Sequence, residues 1–373
     1  MNKYFSYPKK LALPYWSLLL SSAFFYSCSS NSPEGNAQSE SDSTVMDKVI
    51  NKVEMVDNSS ERKVDVLFDG ELFTSYFYPT DMEKPVLFPI ISNSGKIVTR
   101  HFPYIKKEGE RVDHIHHVGH WFNYGDVNGL DFWNNSSERG PEIKDKYGSI
   151  IHQSITNISS DGNTGSLTVQ TDWVDSKGTV LLNEVTNFVF HNEGDTRYFD
   201  RFSTLTALDQ DVSFTDNKEG MFAIRVTRAM ELPTEKPAVF TDSEGNQTEV
   251  EKLDNEGVSG NYLSSEGVTG GDVWGTRAKW VLLYGQIEGD TTGISIYDHP
   301  ENPGFPAYWH ARDYGLFAVN PLGQKVFSEG ENELNFALKA GEKVTFKYRM
   351  MIHSGSSQSK EDLEAIYQDF TNN

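Results

Sequence analysis

Short segments in which apolar and polar residues alternate recur along the chain from about residue 53. The clearest pair, residues 166–173 and 179–185, flanks a turn at residues 176–178 and predicts a β-hairpin. Further strands are predicted at residues 64–68, 72–78, 96–99, 197–205, 222–227, 280–286, 292–297, 334–338 and 344–351. Strands at this density, separated by Gly, Asn and Asp, predict an all-β fold: one large antiparallel β-sandwich with few short helices. Helical periodicity is convincing only at residues 360–367, with Ser359 as the expected N-cap.

The start of the chain follows a different pattern. Basic residues precede an apolar stretch at residues 11–25 that is short for a membrane span, and small residues lead into Cys28. This pattern predicts a lipoprotein signal peptide at residues 1–27 and a lipidated Cys28 that opens a flexible, acidic, Ser-rich tether over residues 28–52. Residues 53–373 are then the β-sandwich catalytic domain of an exported lipoprotein. We expect it at the outer membrane, on the periplasmic face or the cell surface, held by the lipid alone. An ordinary signal peptide with an incidental cysteine is the alternative.

Charge and composition narrow the function classes. The chain has 373 residues, with 33 Lys+Arg against 54 Asp+Glu and a formal net charge of −21. A surface this acidic repels phosphate backbones, so nucleic acid is not an expected partner. Hydrophobic residues make up 37% and aromatic residues 13%, which suits a sizeable core and not a disordered chain. The single cysteine excludes an internal disulfide and a multi-thiolate metal site.

A cluster of histidines is the first candidate for chemistry. His114, His116, His117 and His120 lie within seven residues, and Trp121 follows directly. If this segment is extended, His114 and His116 share one face and His117 takes the other. Imidazole titrates near neutrality, which suits proton transfer, and it is also the commonest side chain that binds metals.

Three interpretations of this cluster stay open. The first is a metal site built from His114, His116 or His120 with Asp126 or Asp131. The second is a metal-free acid–base site in which neighbouring aromatic residues form a stacking surface for a sugar. The third is purely structural: turns, aromatic core residues and hydrogen-bonded histidines.

A second candidate lies near the end of the chain, where Tyr308, His310, Arg312 and Tyr314 alternate. A strand there would present the four side chains on one face. Arg312 could hold a carboxylate bidentately, and His310 or Tyr314 could move a proton. The alternative is an amphipathic core strand with an Arg312–Asp313 surface pair.

A charged cluster and a Gly-rich segment are weaker candidates for a functional site. Lys218, Glu219 and Arg225 are charged residues close to a predicted strand, and a solvated turn explains them as well. Residues 269–272, which precede Trp274, are Gly-rich but lack the spacing of a phosphate-binding loop, so they predict an ordinary loop.

Six motifs together resemble a known family. They are residues 113–117 (DHIHH), 125–129 (GDVNG), 131–133 (DFW), 218–220 (KEG), 309–316 (WHARDYGL) and 320–323 (NPLG). They resemble the DUF6807 family over about residues 60–355. That family also carries the label PmoA-like methane oxygenase, which would require transmembrane helices that the sequence of this body does not predict. The resemblance implies instead a carbohydrate role, similar to oligosaccharide dehydratases of marine Bacteroidetes polysaccharide-utilisation systems.

What the resemblance implies is a carbon–oxygen lyase. It would remove the C4 hydroxyl and the C5 proton from the non-reducing-end uronic acid of an acidic, ulvan-like oligosaccharide and leave a 4,5-unsaturated end. This reaction needs a cation at the carboxylate, a base, an acid and a stacking surface. The catalytic candidates are His116, His117, His310 and Tyr314. The substrate-binding candidates are Arg100, His114, Trp121, Trp133, Arg225, Trp309 and Arg312.

The sequence is also compatible with a metal cofactor and with two other functions. A divalent metal could hold the carboxylate in place of an arginine, and the candidate ligands are His114, His116, His120 and Asp126. A glycoside hydrolase would need two carboxylates that flank the bond, drawn from Asp113, Asp126, Asp131 and Asp313. A non-catalytic surface glycan-binding lipoprotein would use the same aromatic residues without needing the histidines.

Overall fold

The computed structural model describes residues 51–372, which form twenty strands and two α-helices. The strands are β1 (Val53–Asn58), β2 (Lys63–Phe68), β3 (Glu71–Phe77), β4 (Val86–Ile90), β5 (His120–Tyr124), β6 (Ser149–Asp161), β7 (Thr164–Val174), β8 (Val180–Glu193), β9 (Thr196–Ala207), β10 (Val212–Phe214), β11 (Gly220–Arg225), β12 (Ala238–Thr241), β13 (Gln247–Val250), β14 (Asn261–Ser264), β15 (Trp280–Ile287), β16 (Asp290–Asp298), β17 (Tyr308–Ala311), β18 (Leu316–Asn320), β19 (Phe336–Leu338) and β20 (Lys343–Ser354). The α-helices are α1 (Gln324–Phe327) and α2 (Lys360–Asn372). Short 3-10 helices cover Ser59–Glu61, Pro141–Lys146, Arg228–Met230 and Gly270–Val273.

Two eight-stranded sheets make up most of the fold. The first has the strand order β1-β2-β3-β4-β5-β11-β18-β17, and the second has the order β14-β15-β16-β20-β9-β8-β7-β6. The paired strands are antiparallel, and one apolar core contains side chains from both sheets, such as Phe122 and Ile224 from the first and Phe188 and Ile294 from the second. The predicted all-β sandwich with few short helices is therefore confirmed.

The predicted hairpin is formed by β7 and β8. Burial alternates at every residue of β7, as expected for a strand with one face on the core. At the turn, Asp175 Oδ1 accepts hydrogen bonds from the amides of Lys177 and Thr179, each at 2.8 Å, and Gly178 has a φ of +84°. Local sequence chemistry thus determines this pairing, as the pattern predicts.

The predicted C-terminal helix is α2, and it begins directly after its expected cap. Ser359 Oγ accepts from the Asp362 amide at 3.1 Å, and Asp362 Oδ2 accepts from the Ser359 amide at 3.1 Å. This reciprocal arrangement satisfies two amides at the helix start. Leu363, Tyr367 and Phe370 pack with an aromatic cluster on the second sheet, which stabilises the helix.

One predicted strand and two arrangements that were considered conditionally differ from the structure. Residues 96–99 form only isolated bridges, Ile97 with Ile91 and Thr99 with Val226, and not a strand. The segment at residues 113–117 is not extended, because it contains a turn. The expected strand over residues 308–314 ends at Ala311, since the chain turns back to form a hairpin with β18.

The predicted signal peptide (residues 1–27), lipidated Cys28 and most of the tether lie outside the described residues, and the first strand begins at Val53. Among residues 51–372, none of the helices combines the length and the apolar character that a membrane crossing needs.

Candidate functional site

The candidate site lies on the face of the first sheet that points away from the core. Phe122 and Trp309 face the core, so their neighbours Trp121 and His310 project to the opposite face, which we call the site face. Strand pairing aligns Trp121 with Ala223, Ala223 with Ala318, and Ala318 with His310. Two alanines therefore separate an indole from an imidazole along one row, which leaves a floor of small side chains between them.

A turn of histidines lies at the Trp121 side of this floor. The His117 amide donates to the His114 carbonyl at 2.9 Å, and His114 has a φ of +45°, in the left-handed region that side chains other than Gly rarely adopt. Arg100 holds this turn from below, because its Nη2 donates to the carbonyls of His114 (2.8 Å) and His117 (2.9 Å). The turn keeps its shape because a buried guanidinium satisfies its carbonyl groups.

Asp113 joins two of the predicted arginines. Its Oδ1 accepts from Arg100 Nη1 at 2.8 Å and from Arg225 Nη2 at 2.7 Å, and its Oδ2 lies 2.9 Å from His114 Nδ1. Burial opposes ionisation of Asp113. The hydrogen bond with His114 and the charges of Arg225 and Arg100 outweigh burial and hold the pKa of this carboxyl well below its usual range. Asp113 is therefore a carboxylate at neutral pH, and His114 donates from Nδ1.

Four rings form a continuous stack beside the floor. Tyr314 is parallel to His114 (5.3 Å between centroids), His114 is parallel to His117 (4.9 Å), and His117 lies nearly parallel to Trp121 (5.0 Å). Trp133 meets Trp121 and His117 edge-on. The hairpin turn after β17 thus brings Tyr314 to the histidine turn, although about 200 residues separate them.

The buried histidines of the site are neutral at neutral pH. Burial, with Lys84 and other neighbouring cations, lowers the pKa of His116 to about 2. Burial, followed by His116 and Arg225, holds the pKa of His117 well below its usual range. Burial, followed by Arg312 and Lys218, lowers the pKa of His310 to about 3. Cations repeatedly appear among the causes, so neighbouring positive groups add to the effect of burial in opposing protonation of these rings.

Unpartnered polar atoms concentrate at the same place. In the part of the chain that the structure describes, half of the buried side-chain nitrogen and oxygen atoms without a hydrogen-bond partner belong to residues of this site. They are Arg100 Nε, His116 Nε2, His117 Nε2, Trp121 Nε1, Asn123 Oδ1, Arg225 Nε and His310 Nδ1. Buried polar groups normally have a partner, and exceptions often mark functional sites that bind water or a ligand.

Arg312 is a half-buried cation beside the ring stack. Its Cζ lies 5.5 Å from the centre of the Tyr314 ring and 5.8 Å from that of Trp274, and no carboxylate among residues 51–372 lies within ion-pairing distance of it. Asp313 pairs instead with Lys236 at 2.5 Å, so the alternative of an Arg312–Asp313 pair is wrong. Arg312 is therefore available to an anionic ligand.

Sequence reasoning missed Lys84, which lies between Glu83 and Pro85 without any recognisable motif. Its Nζ donates to the His116 carbonyl at 2.8 Å and lies 5.5 Å from the centre of the Trp121 ring. Burial lowers the pKa of this ammonium to about 7, although Asp131 and Glu83 favour its charged form. Glu219 belongs to the weaker predicted cluster, and its Oε2 lies 3.7 Å from His310 Nδ1.

Three predicted site residues do not have the roles that the sequence suggests. Trp309 is fully buried in the core and donates from Nε1 to the Ala278 carbonyl at 2.9 Å, because the register of β17 turns it away from the site face. Arg100 lies below the histidine turn, where it holds the backbone. His120 points into the core, with Nε2 3.3 Å from Arg201 Nη1.

The predicted metal ligands do not converge. His120 and His116 lie on opposite faces of the first sheet, and Asp126 Oδ1 accepts from the Gly129 amide at 3.0 Å to close a turn. Among residues 51–372, no group of three or more His, Cys, Asp or Glu side chains is arranged to hold a metal ion. The residues present therefore do not fit the metal site that the sequence suggested, and we derive no step through a metal.

No curated protein matches the chain. Among solved structures, the chain is similar to an Escherichia coli K12 protein provisionally described as an aldose 1-epimerase, with 10% sequence identity and a TM-score of 0.31 over 82% of this chain and 99% of that chain.

The sequence profile of a family of unknown function, DUF6807, matches residues 63–368. This range covers the six motifs and the residues that form the candidate site. The chain therefore belongs to the DUF6807 family, as its motifs predict.

Proposed function

We propose that the chain is a dehydratase that removes water from the non-reducing-end uronic acid of acidic oligosaccharides. One observation carries this proposal. Arg312, which has no carboxylate partner among residues 51–372, contacts Tyr314, and Tyr314 stacks on His114, whose Nδ1 is held by Asp113. A cation, an acid and an oriented base are thus neighbours in one chain of contacts.

The reaction explains why these groups are needed together. The C5 proton lies next to a carboxylate and is only weakly acidic, so a cation must stabilise the negative charge that develops on the carboxylate as a base removes the proton. The C4–O bond then breaks, its electrons leave with oxygen, and an acid protonates that oxygen so that it departs as water. A C4=C5 double bond remains, and no glycosidic bond is cut.

His114 is the base that the geometry favours. Its Nδ1 donates to the ionised Asp113, so the lone pair of the neutral ring is on Nε2, and 42% of the side chain is exposed. The sequence analysis placed His114 among the substrate-binding candidates and His116 and His117 among the catalytic ones. The low pKa values of those two buried rings make them weaker bases, and they suit hydrogen bonding to sugar hydroxyls.

Tyr314 is the acid in this proposal. Burial raises the pKa of Tyr314 to about 12, against the lowering effect of Arg225 and Arg312, so its hydroxyl is protonated at neutral pH. After water leaves, transfer of the proton from His114 to the Tyr314 oxygen restores both groups. Arg312 binds the substrate carboxylate. Trp121, Trp133 and Arg225, which the sequence predicted as substrate-binding, are at most 1% exposed. They act instead from beneath the site, where they contact His117 and Asp113 and hold them in position.

A glycoside hydrolase receives less support from the geometry. Its candidate carboxylates are each engaged locally. Asp113 holds two arginines, Asp126 closes a turn, and Asp313 pairs with Lys236. Asp131 accepts from the amides of Trp133 and Asn134, each at 2.9 Å. Each of the four carboxyl groups therefore already has a partner among the described residues, so none is free to act as the acid that a hydrolase needs.

Cellular location follows the sequence prediction. We propose that residues 1–27 direct export and that lipidated Cys28 anchors the enzyme at the outer membrane, on the periplasmic face or the cell surface. Metabolic labelling with a fatty acid, compared between the wild type and Cys28→Ala, tests this. Label on the wild type alone supports the anchor, and label on both or on neither contradicts it.

The activity test follows ultraviolet absorbance of a conjugated unsaturated uronate and product mass, with glucuronate-ended oligosaccharides and with or without a chelator. Growing absorbance with loss of one water and no shortening is the expected result. Shorter products would indicate a hydrolase, binding without turnover would indicate a glycan-binding protein, and inhibition by the chelator would indicate a metal.

Variants then assign the roles. His114→Gln and Tyr314→Phe should each lower kcat at least 100-fold with little change in affinity, because they remove the base or the acid. Arg312→Gln should raise KM as well as lower kcat, because it removes the cation at the carboxylate. Asp126→Asn is the matched control, since it changes a carboxylate in a neighbouring turn outside the site.

A further inference from the structure

Trp274 is unusual among the tryptophans of the described residues. It is 39% exposed, whereas Trp121, Trp133, Trp173, Trp280 and Trp309 are at most 1% exposed. A single exposed apolar side chain needs no explanation by itself. The position of Trp274 does require an explanation, because two chains of contacts connect this side chain to the candidate site.

The first connection runs through Arg312. Its Cζ lies 5.8 Å from the centre of the Trp274 ring and 5.5 Å from that of Tyr314. The indole and the phenol are therefore separated by no more than the sum of these distances, a span that two linked pyranose rings can bridge. The half-buried cation between them is free of carboxylate partners in the described part of the chain.

The second connection runs through Phe327 of α1. Phe327 meets Trp274 edge-on at 5.7 Å, stacks on Tyr308 at 5.4 Å and lies 6.2 Å from His310. Val326, its neighbour, is 40% exposed. Buried ring contacts thus connect His310, at the edge of the site, to the exposed indole.

The loop that carries Trp274 is fixed to the strand that carries His310. The Trp274 amide donates to the Gly271 carbonyl at 3.2 Å, and the Gly275 amide donates to the Trp309 carbonyl at 2.9 Å. Gly275 has a φ of +73°, which allows the chain to turn directly after the indole. The exposed ring is therefore held in register with the site by backbone hydrogen bonds.

We infer that Trp274 and Arg312 form a second sugar subsite, which binds the residue linked to the reacting uronate. The indole face covers the C–H surface of that pyranose, and Arg312 lies between the two sugar rings. This inference rests on the proposed function, and it makes the substrate an oligosaccharide bound by its end instead of a free uronic acid.

Titration calorimetry on the full-length chain tests the inference with two probes. One is free glucuronic acid, and the other is a disaccharide with glucuronate at its non-reducing end. The wild type should bind the disaccharide at least 10-fold more tightly. Trp274→Ala should abolish this preference and leave the affinity for glucuronic acid unchanged, whereas Trp274→Phe should retain most of it because the ring face remains.

The matched control is Ile151→Ala, which shortens an equally exposed apolar side chain on β6 and should leave both affinities unchanged. Equal affinity of the wild type for both probes, or an unchanged preference in Trp274→Ala, overturns the second subsite even if the unsaturated product forms. A preference that depends on Trp274 without any unsaturated product supports the subsite and rejects the dehydratase. If the wild type binds neither probe, both proposals fail.

Discussion

Arg225 Nη1 lies 3.2 Å from His117 Nδ1, inside the buried cluster that Asp113 completes. A guanidinium can only donate hydrogen bonds, so Nδ1 of His117 must accept. The neutral imidazole therefore carries its proton on Nε2, an atom that is buried and has no hydrogen-bond partner among the described residues. His117 offers a fixed N–H group to a ligand and is unsuited to act as a base.

The tautomer of His117 can be measured directly. In protein labelled with ¹⁵N at histidine, His117 should show an unprotonated Nδ1 and a protonated Nε2 at pH 7, with the signals assigned through His117→Gln. His120 is an internal control with the opposite tautomer, because its Nδ1 donates to the Ala223 carbonyl at 2.9 Å and its Nε2 faces Arg201. A protonated Nδ1 on His117 would contradict the hydrogen bond in which Arg225 donates to this atom.

Asp113→Asn should weaken both stability and catalysis. The substitution leaves two buried guanidinium groups, Arg100 and Arg225, without their shared negative charge, although 30% exposure of the Asp113 side chain lets water screen part of the loss. We expect the free energy of unfolding to fall by about 1–3 kcal/mol. The proposed base loses its orientation, so kcat should fall by about 100-fold or more.

Urea unfolding and product absorbance measure these two effects. Asp126→Asn again serves as the control, because Asp126 holds one backbone amide in a turn and no arginine. Normal stability and full activity of Asp113→Asn would mean that neither the histidine turn nor the base depends on this carboxylate.

Stability should decrease with falling pH from about pH 6.5. Burial first, and neighbouring cations second, hold the pKa of His310 at about 3, whereas a histidine in the unfolded chain titrates near 6.5. Between these values the unfolded state binds more protons, so the free energy of unfolding increases with pH by up to about 1.4 kcal/mol per unit for this one group. This contribution is present above pH 6.5 and is lost below it.

His310→Gln should reduce the slope of the free energy of unfolding against pH between pH 4 and 6 by up to about 1.4 kcal/mol per pH unit. Urea unfolding midpoints measured across this range give the slope. Glu219 Oε2, at 3.7 Å, is the nearby carboxylate, and Arg312 and Lys218 are the nearby cations, so the environment of the ring as a whole disfavours its protonation. Phe317→Leu, a core substitution on the neighbouring strand, should change stability without changing the slope. A slope that is the same in His310→Gln as in the wild type would show that His310 is protonated equally in both states.

The sequence predicts best those elements whose determining residues are adjacent in the chain. The β7–β8 hairpin and α2 follow from alternation, a turn and a cap that are adjacent in the sequence. Site residues are recognised mainly by type, since His, Trp and Arg cluster within the six motifs. Their directions are less predictable: the register of β17 puts His310 on the site face and Trp309 in the core, although the sequence predicted His310 as catalytic and Trp309 as substrate-binding.

Other features depend on contacts that sequence spacing does not reveal. The histidine turn is held by Arg100, which precedes it by more than ten residues, so the spacing of residues 113–120 alone does not reveal its shape. Lys84 reaches the site from a loop without a motif, and Trp274 belongs to a segment that reads as an ordinary Gly-rich loop. In each case the deciding partner comes from a distant part of the chain.

A buried ion pair joins two strands of the second sheet, although polar residues in alternating strands usually face solvent. Glu184 on β8 and Arg201 on β9 are both buried, and Arg201 Nη2 lies 3.0 Å from Glu184 Oε1. Trp173 Nε1 donates to Glu184 Oε2 at 2.8 Å, and the Arg201 guanidinium lies between the rings of Phe122 and Phe188. The pair is thus enclosed between the two sheets, on the side of the first sheet away from the candidate site.

Glu184→Leu should lower the free energy of unfolding by about 3–5 kcal/mol, because it leaves a buried guanidinium uncompensated. The double variant Glu184→Leu/Arg201→Leu should be less destabilised than the sum of its single variants, since neither charge then remains. Urea unfolding of the four proteins gives this cycle. Product formation per folded molecule should stay within about twofold of the wild type, because no residue of the pair lies on the site face. Additive losses would show that the two charges do not stabilise each other, and a selective loss of activity would show that the interior of the sandwich contributes to the site.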